Sequence, residues 1–233
     1  MQLFITEFEK KWDFLIVSDL ELLEQVRKVL RMKIWDKIFV QKENTRYHLE
    51  ISSWDNISLS WKILKTILQV ENSLDNKNLW MIVAMPNRWT KAELIVQKLS
   101  EIGINEIYFR ASERSVLRDW NKKKWERLQK ISKEAVEQSR WWNLPKIEFV
   151  KELSSIIQNK KIIVFDIEKQ KTESSDNLQT DIIWIVWPEW WLTPKDYEIF
   201  WKNFDVVSLG NTVLRMETAG IVWAWLLKNL PGF

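Results

Sequence analysis

The chain has 233 residues, 46% of them hydrophobic and 29% charged, with a formal net charge of +3 and a pI near 8.9. This balance describes a globular chain with a mildly basic surface, not a disordered one, and no apolar run reaches the ~18 residues of a spanning helix. The absence of Cys and the single His, His48, exclude disulfides, zinc–thiolate sites, Cys nucleophiles and multi-His metal sites. One figure is out of place: 17 Trp stand against 4 Gly, where a chain of this length ordinarily carries roughly 16 Gly.

The N-terminus turns acidic at Glu7, too early for a signal peptide, and a cytoplasmic protein is expected. Residues 1–71 read as short strands around one helix. Phe14 to Val17 is a strand-like run. Ser18 or Asp19 can cap a helix over 20–32, with Leu20, Leu23, Val26 and Leu30 at helical spacing. Lys37 to Gln41, Tyr47 to Ile51 and Ile57 to Val70 then predict strands, together a small β-barrel pattern. The polar stretch from Glu71 to Asn78 suits a linker.

From residue 79 strands and helices alternate. Strands are predicted at Leu79 to Met85, Glu106 to Phe109, Lys161 to Ile167, Asp181 to Val186 and Val206 to Leu209. Helices are predicted at Lys91 to Ile102, Lys122 to Ser139, from the Thr193-Pro194 cap, and from Leu214 onward. Such alternation predicts a mainly parallel sheet with flanking helices, whose ligands sit at the carboxyl ends of the strands.

The tryptophans fall where the chain should turn. Trp12, Trp35, Trp54 and Trp120 each stand beside Asp, between periodic segments. Trp89 opens a helix, Trp141 and Trp142 follow one and precede Pro145, and Trp187, Trp190 and Trp191 leave an apolar strand. These are glycine positions by every rule of turn chemistry. The pattern is that of UGA codons, assigned to glycine in some lineages, read as Trp. Trp61, Trp80 and Trp125, in or beside regular elements, are compatible with either residue. UGG codons at 187, 190 and 191 would contradict this reading.

Three segments can carry chemistry. The first runs from Val186 to Thr193 and reads V-G-P-E-G-G-L-T with glycine restored, a loop whose backbone can approach a ligand closely. The second is Leu209-Gly210-Asn211-Thr212-Val213-Leu214-Arg215-Met216-Glu217-Thr218-Ala219, a strand end leading into a helix. The third is Ser112-Glu113-Arg114, with Glu137-Gln138-Ser139 on the following helix; residues 110–140 hold ten Lys and Arg against five Asp and Glu, a surplus suited to phosphates. Each segment alone also fits a plain turn or a solvated helix face.

Taken together, and with Val29-Leu30-Arg31-Met32, these motifs resemble the family of ribosomal RNA small-subunit methyltransferase E. The likeness runs in order over nearly the whole chain. It implies an α/β protein: an N-terminal PUA-like β-barrel that binds RNA (1–71) and a C-terminal SPOUT α/β methyltransferase domain with a deep trefoil knot (72–233). It implies a homodimer without metal that uses S-adenosylmethionine to methylate N3 of a uridine in small-subunit rRNA or in the assembled small subunit. Carried over by motif, the cofactor residues are Phe165, Val186, Trp187, Pro188, Glu189, Trp190, Trp191, Leu192, Leu209, Gly210, Asn211, Leu214, Arg215 and Thr218. Arg215 and Glu217 are the catalytic candidates, and Arg31, Arg88, Arg114, Gln138 and Arg140 the RNA-binding ones. Lys33, beside Arg31, is a further candidate for phosphate.

The chain departs from the family at Thr212 and Trp141, where the family carries Arg, and at the three loop tryptophans, whose indoles would fill space the cofactor needs. N-methylation suits a chain without Cys, because alkylating carbon 5 of uracil calls for a Cys adduct. A ribose 2′-O-methyltransferase of the same knotted class and a non-catalytic RNA-binding module remain alternatives on sequence. A Trp-lined sugar- or lipid-binding protein is disfavoured by the turn placement of the indoles.

Overall fold

The computed structural model describes residues 2–55, 57–69, 78–112, 115, 117, 121–158, 160–165, 182–186, 204–207 and 212–229. The chain divides into two compact units, Met1–Glu71 and Asn72–Phe233.

The first unit is a six-stranded sheet in the order β1-β4-β5-β6-β3-β2, built from β1 (Leu3–Ile5), β2 (Glu9–Lys11), β3 (Phe14–Val17), β4 (Lys37–Lys42), β5 (Thr45–Trp54) and β6 (Leu59–Leu68). Only β1 against β4 is parallel. Alternate residues point inward, as the two-residue period of a strand requires: Leu15 and Val17, Ile38 and Val40, Leu49 and Ile51, Leu59 and Trp61 are all buried and pack with Leu22, Leu23 and Val26. Among the described residues β1 and β2 are edges, and no pairing closes the sheet into a barrel.

Asp19 caps the helix as expected, its carboxylate accepting from the amides of Glu21 (3.0 Å) and Leu22 (3.2 Å). The helix is shorter than predicted. Leu20–Glu24 (α1) is α-helical and Gln25–Val29 is π-helical, with the Leu30 amide donating to the Gln25 carbonyl at 2.9 Å. The wider winding rotates the following residues off the predicted face. Leu23 and Val26 stay in the core, whereas Leu20 and Leu30 are exposed.

The second unit is a parallel sheet in the order β12-β10-β11-β7-β8-β9. Its strands are β7 (Leu79–Ala84), β8 (Glu106–Arg110), β9 (Lys146–Phe149), β10 (Lys161–Phe165), β11 (Ile182–Val186) and β12 (Phe204–Val207). All five pairings are parallel, as strand–helix alternation predicts. The helices are α2 (Trp89–Ile102), α3 (Lys122–Ser139), α4 (Ser154–Ile157) and α5 (Met216–Asn229). α2 packs on both α3 and α5. A buried hydroxyl pair, Ser100 and Ser132 at 2.9 Å, joins α2 to α3. The last helix starts at Met216, two residues later than the sequence suggests, and β9 and α4 are additions to the predicted order.

Two tryptophans occupy backbone that favours glycine. Trp12 opens the two-residue β2–β3 hairpin at φ +53 and is 94% exposed; glycine holds this position in type II′ hairpins. Trp35 has φ +80 in a turn closed by the Asp36 amide on the Lys33 carbonyl at 3.1 Å, the geometry in which a type II turn calls for glycine. Other expectations shift. Trp54 ends β5 in register with Leu59, and the turn is made by Asp55, which accepts from the amides of Ile57 (2.8 Å) and Ser58 (2.7 Å). After α3 the left-handed residue is Arg140 at φ +57, one position before Trp141. Trp61 is a fully buried core residue whose indole N–H has no hydrogen-bond partner among the described residues. Trp125 lies in α3 and donates to the Ile147 carbonyl at 3.3 Å.

Candidate functional site

In a parallel sheet every strand delivers its carboxyl end to the same edge. The register sets Val186 beside Val83 at the end of β7, and Phe165 beside Val207 at the end of β12. The strands that precede the predicted cofactor segments, Trp187 to Leu192 and Leu209 to Thr218, therefore end at one sheet edge. The crevice beyond such an edge is where ligands of open α/β sheets bind. Phe165 and Val186 are the last residues of their strands. Trp187, Pro188, Glu189, Trp190, Trp191, Leu192, Leu209, Gly210 and Asn211 lie outside the described residues, as does Arg114.

Two helices start from this edge, α2 after β7 and α5 after β12. Leu214 is half-buried against the core, and Arg215 and Thr218 are exposed at the start of α5. The Ala219 amide donates to the Arg215 carbonyl at 2.9 Å, which makes Arg215 part of the first turn. Arg88 is the exposed N-cap of α2 with extended backbone and no capping side-chain bond. Both guanidinium-bearing residues thus stand at helix starts, where the dipole adds positive potential. An anionic ligand or a developing negative charge is favoured there.

Glu217 differs from its neighbours. It lies on the buried face of α5, and its carboxylate Oε2 is 3.3 Å from Lys91 Nζ on the first turn of α2. The two side chains are 11% and 22% exposed. A carboxylate held this way is paired with a cation inside the protein; the sequence nominated Glu217 as a catalytic candidate without assigning its role.

The other candidates separate. Gln138 and Arg140 are exposed at the end of α3, whereas Glu137 beside them is buried. Lys228 Nζ lies 3.9 Å from the centroid of the Trp141 ring, and that ring covers Gly103, the left-handed cap of α2. Arg31 belongs to the first unit; it is exposed with φ +52, just past the π-helical turn. The start of the Ser112 segment is tied to the sheet edge. The Ser112 amide donates to Ser115 Oγ at 2.8 Å, and the Met85 amide donates to the Arg110 carbonyl at 2.7 Å. Sequence reasoning passed over Lys91. Its signal is faint: a cation in the first turn of a helix that lacks an acid.

Among the described residues no group of three His, Asp or Glu could hold a metal, and no helix is long and apolar enough to cross a membrane.

Comparison with known proteins supplies the family. The profile of the RNA methyltransferase domain matches residues 74–228. Ribosomal RNA small subunit methyltransferase E of Rickettsia conorii is 28% identical over 206 residues, covering 84% of this chain and 82% of that protein. The protein of the same name from Mesomycoplasma hyopneumoniae is 28% identical over 222 residues, covering 91% and 93%. Among solved structures, the Neisseria gonorrhoeae methyltransferase E bound to S-adenosyl methionine superposes with a TM-score of 0.81 at 20% identity, over 98% of this chain and 97% of that one. A Legionella pneumophila putative methyltransferase in complex with the same cofactor gives 0.79 at 20% identity, over 97% and 96%.

Proposed function

The chain belongs to the RNA methyltransferase domain family, and from that premise we propose that it transfers a methyl group from S-adenosylmethionine to N3 of a uridine in small-subunit ribosomal RNA. The observation that supports the reading is that β10, β11 and β12 run parallel and so bring Phe165, Val186 and Val207 to one carboxyl edge of the sheet, the edge from which the family's two loop segments leave in sequence. The similarity to small-subunit rRNA methyltransferases along most of both chains supports the rRNA substrate.

At the described edge the half-buried Leu214 offers apolar contact, and the exposed Arg215 and Thr218 offer hydrogen-bonding groups suited to the carboxylate and hydroxyls of such a cofactor. Phe165, Val186, the loops at 187–192 and 209–211, Leu214, Arg215 and Thr218 would hold it. When bound, S-adenosylmethionine supplies the methyl group and leaves as the thioether. Arg215 stabilises the negative charge that uracil develops as the N3 proton departs. Arg31, Arg88, Arg114, Gln138 and Arg140 hold the RNA, and the positioned nitrogen gains from proximity. The N3 proton passes to solvent water. The fold completes as a PUA-like barrel and a knotted SPOUT domain, the protein works as a cytoplasmic homodimer, and glycine stands at 187, 190 and 191 in the functional chain.

The deciding experiment incubates small ribosomal subunits with the Trp187→Gly/Trp190→Gly/Trp191→Gly chain and methyl-labelled S-adenosylmethionine, then separates the nucleosides by chromatography and reads the masses of their base and ribose fragments. N3-methyluridine is the expected product. A 2′-O-methylated nucleoside would replace the reaction assignment, and an unmodified subunit would leave only RNA binding.

A further inference from the structure

We infer that Lys91 is a positioning residue for methyl transfer, acting through Glu217 to fix the turn that carries Arg215; this rests on the methyltransferase reading above.

The starting observation is that α2 begins against the local rules. Its N-cap is Arg88, which makes no capping bond, and its first turn contains no acid. Instead it carries Lys91, a cation at the positive end of the helix dipole. Helix stability does not account for a lysine there. Local rules broken at one place without a local gain mark functional positions.

The gain lies on α5. Glu217 projects from the buried face of that helix, and Lys91 Nζ meets its Oε2 at 3.3 Å. The pair joins the starts of two helices that leave the same sheet edge. At their other ends α2 and α5 are joined again, through Trp141 lying on Gly103 and under Lys228. The helices therefore run side by side in the same direction, and the Lys91–Glu217 contact sets where the first turn of α5 ends up. Arg215 is in that turn through the 2.9 Å bond from the Ala219 amide to its carbonyl. Moving Glu217 moves Arg215, which is exposed at the start of α5. Removing the lysine charge strands a buried carboxylate, which the turn relieves only by shifting outward.

The test uses the full chain carrying Trp187→Gly/Trp190→Gly/Trp191→Gly as parent, with Lys91→Met, Lys91→Arg and Lys91→Met/Glu217→Gln built on it. Hydrogen exchange at the Ala219 amide reads the turn directly, and steady-state methylation of small subunits reads its consequence. Lys91→Met should exchange at Ala219 about tenfold faster or more, and lower kcat by about tenfold or more with KM for S-adenosylmethionine little changed. Lys91→Arg, which keeps the charge, should restore both. If Lys91→Met does not fold, the doubly neutral variant replaces it; it strands no carboxylate but loses the tie between the helices, so faster exchange at Ala219 and a smaller, still measurable, loss of kcat are expected. Unchanged exchange at Ala219 overturns the inference whatever the enzyme does. Faster exchange with unchanged kcat reduces the pair to a fold contact and overturns it too. A parent that methylates nothing removes the methyltransferase reading instead, and the exchange measurement still decides whether Lys91 fixes the turn.

Discussion

The two units use tryptophan against opposite physical constraints. In the first, neighbouring strands are mostly joined by short hairpins, so a misplaced residue in a turn acts on backbone conformation. Trp12 and Trp35 sit at φ +53 and +80 with side chains 94% and 72% exposed, so they strain the chain while filling no space. In the second, parallel pairing demands long crossovers, and ligands of such sheets bind beyond the carboxyl edge. In the proposed cofactor site a tryptophan at 187, 190 or 191 would act on volume. On the proposed reading the same residue is a small stability problem in one unit and a binding problem in the other. Where it is packed in a core, as at Trp61, it is neither.

The largest stability effect expected is at that core position. Trp61→Ala should destabilise the first unit by about 3–5 kcal/mol, the range for a truncated buried indole, read as a shift in the denaturant midpoint. A shift below about 1 kcal/mol would mean that Trp61 is no more a core residue than the turn tryptophans. In the second unit, Arg215→Ala should lower kcat by about 10²–10³-fold, as for other donors aimed at developing charge, with the unfolding midpoint nearly unchanged. A loss confined to KM would make Arg215 a binding residue only.

Smaller and opposite in sign, Trp35→Gly and Trp12→Gly should each stabilise the first unit by about 1 kcal/mol, by relieving a left-handed conformation. Destabilisation by either would break the comparison at its root, since it would show the indole contributing contacts that its exposure denies. Least in size is the effect at Asp55. The amide of Ile57, then that of Ser58, holds its carboxyl below the usual carboxylate range. A depressed pKa gives stability that is present above about pH 4 and lost as pH falls through the folded value. Asp55→Asn should therefore flatten the acid limb of the stability profile by slightly lowering stability above pH 6 while leaving it unchanged at the acid end. A limb as steep as in the parent chain would assign acid sensitivity elsewhere.

Much of the fold was legible because its signals are local. The Asp19 cap, the β3 run, the limits of α3 and the parallel character of the second sheet follow from capping chemistry, period and alternation. The elements missed are those without a period. β1 and β2 span three residues each, β9 and α4 four, too few to distinguish a strand or helix from a loop. The π-helical turn escaped for a related reason: a winding change leaves the spacing of apolar residues intact and alters only where they point. Of the candidate site, Arg88 and Arg215 were found from motifs and are exposed at helix starts. The partner of Glu217 was not found, because no spacing rule connects Lys91 with a residue on another helix far along the chain. Its motif nominated Glu217 without a role; the structure adds its burial and a cation at 3.3 Å.

The measurement closest to the central claim is a calorimetric titration with S-adenosylmethionine of two chains, the sequence as it stands and its Trp187→Gly/Trp190→Gly/Trp191→Gly variant. The account predicts saturable one-site binding by the glycine variant and none by the tryptophan chain. Equal, tight binding by both would contradict it, because the loop tryptophans would then be compatible with the site they are held to obstruct.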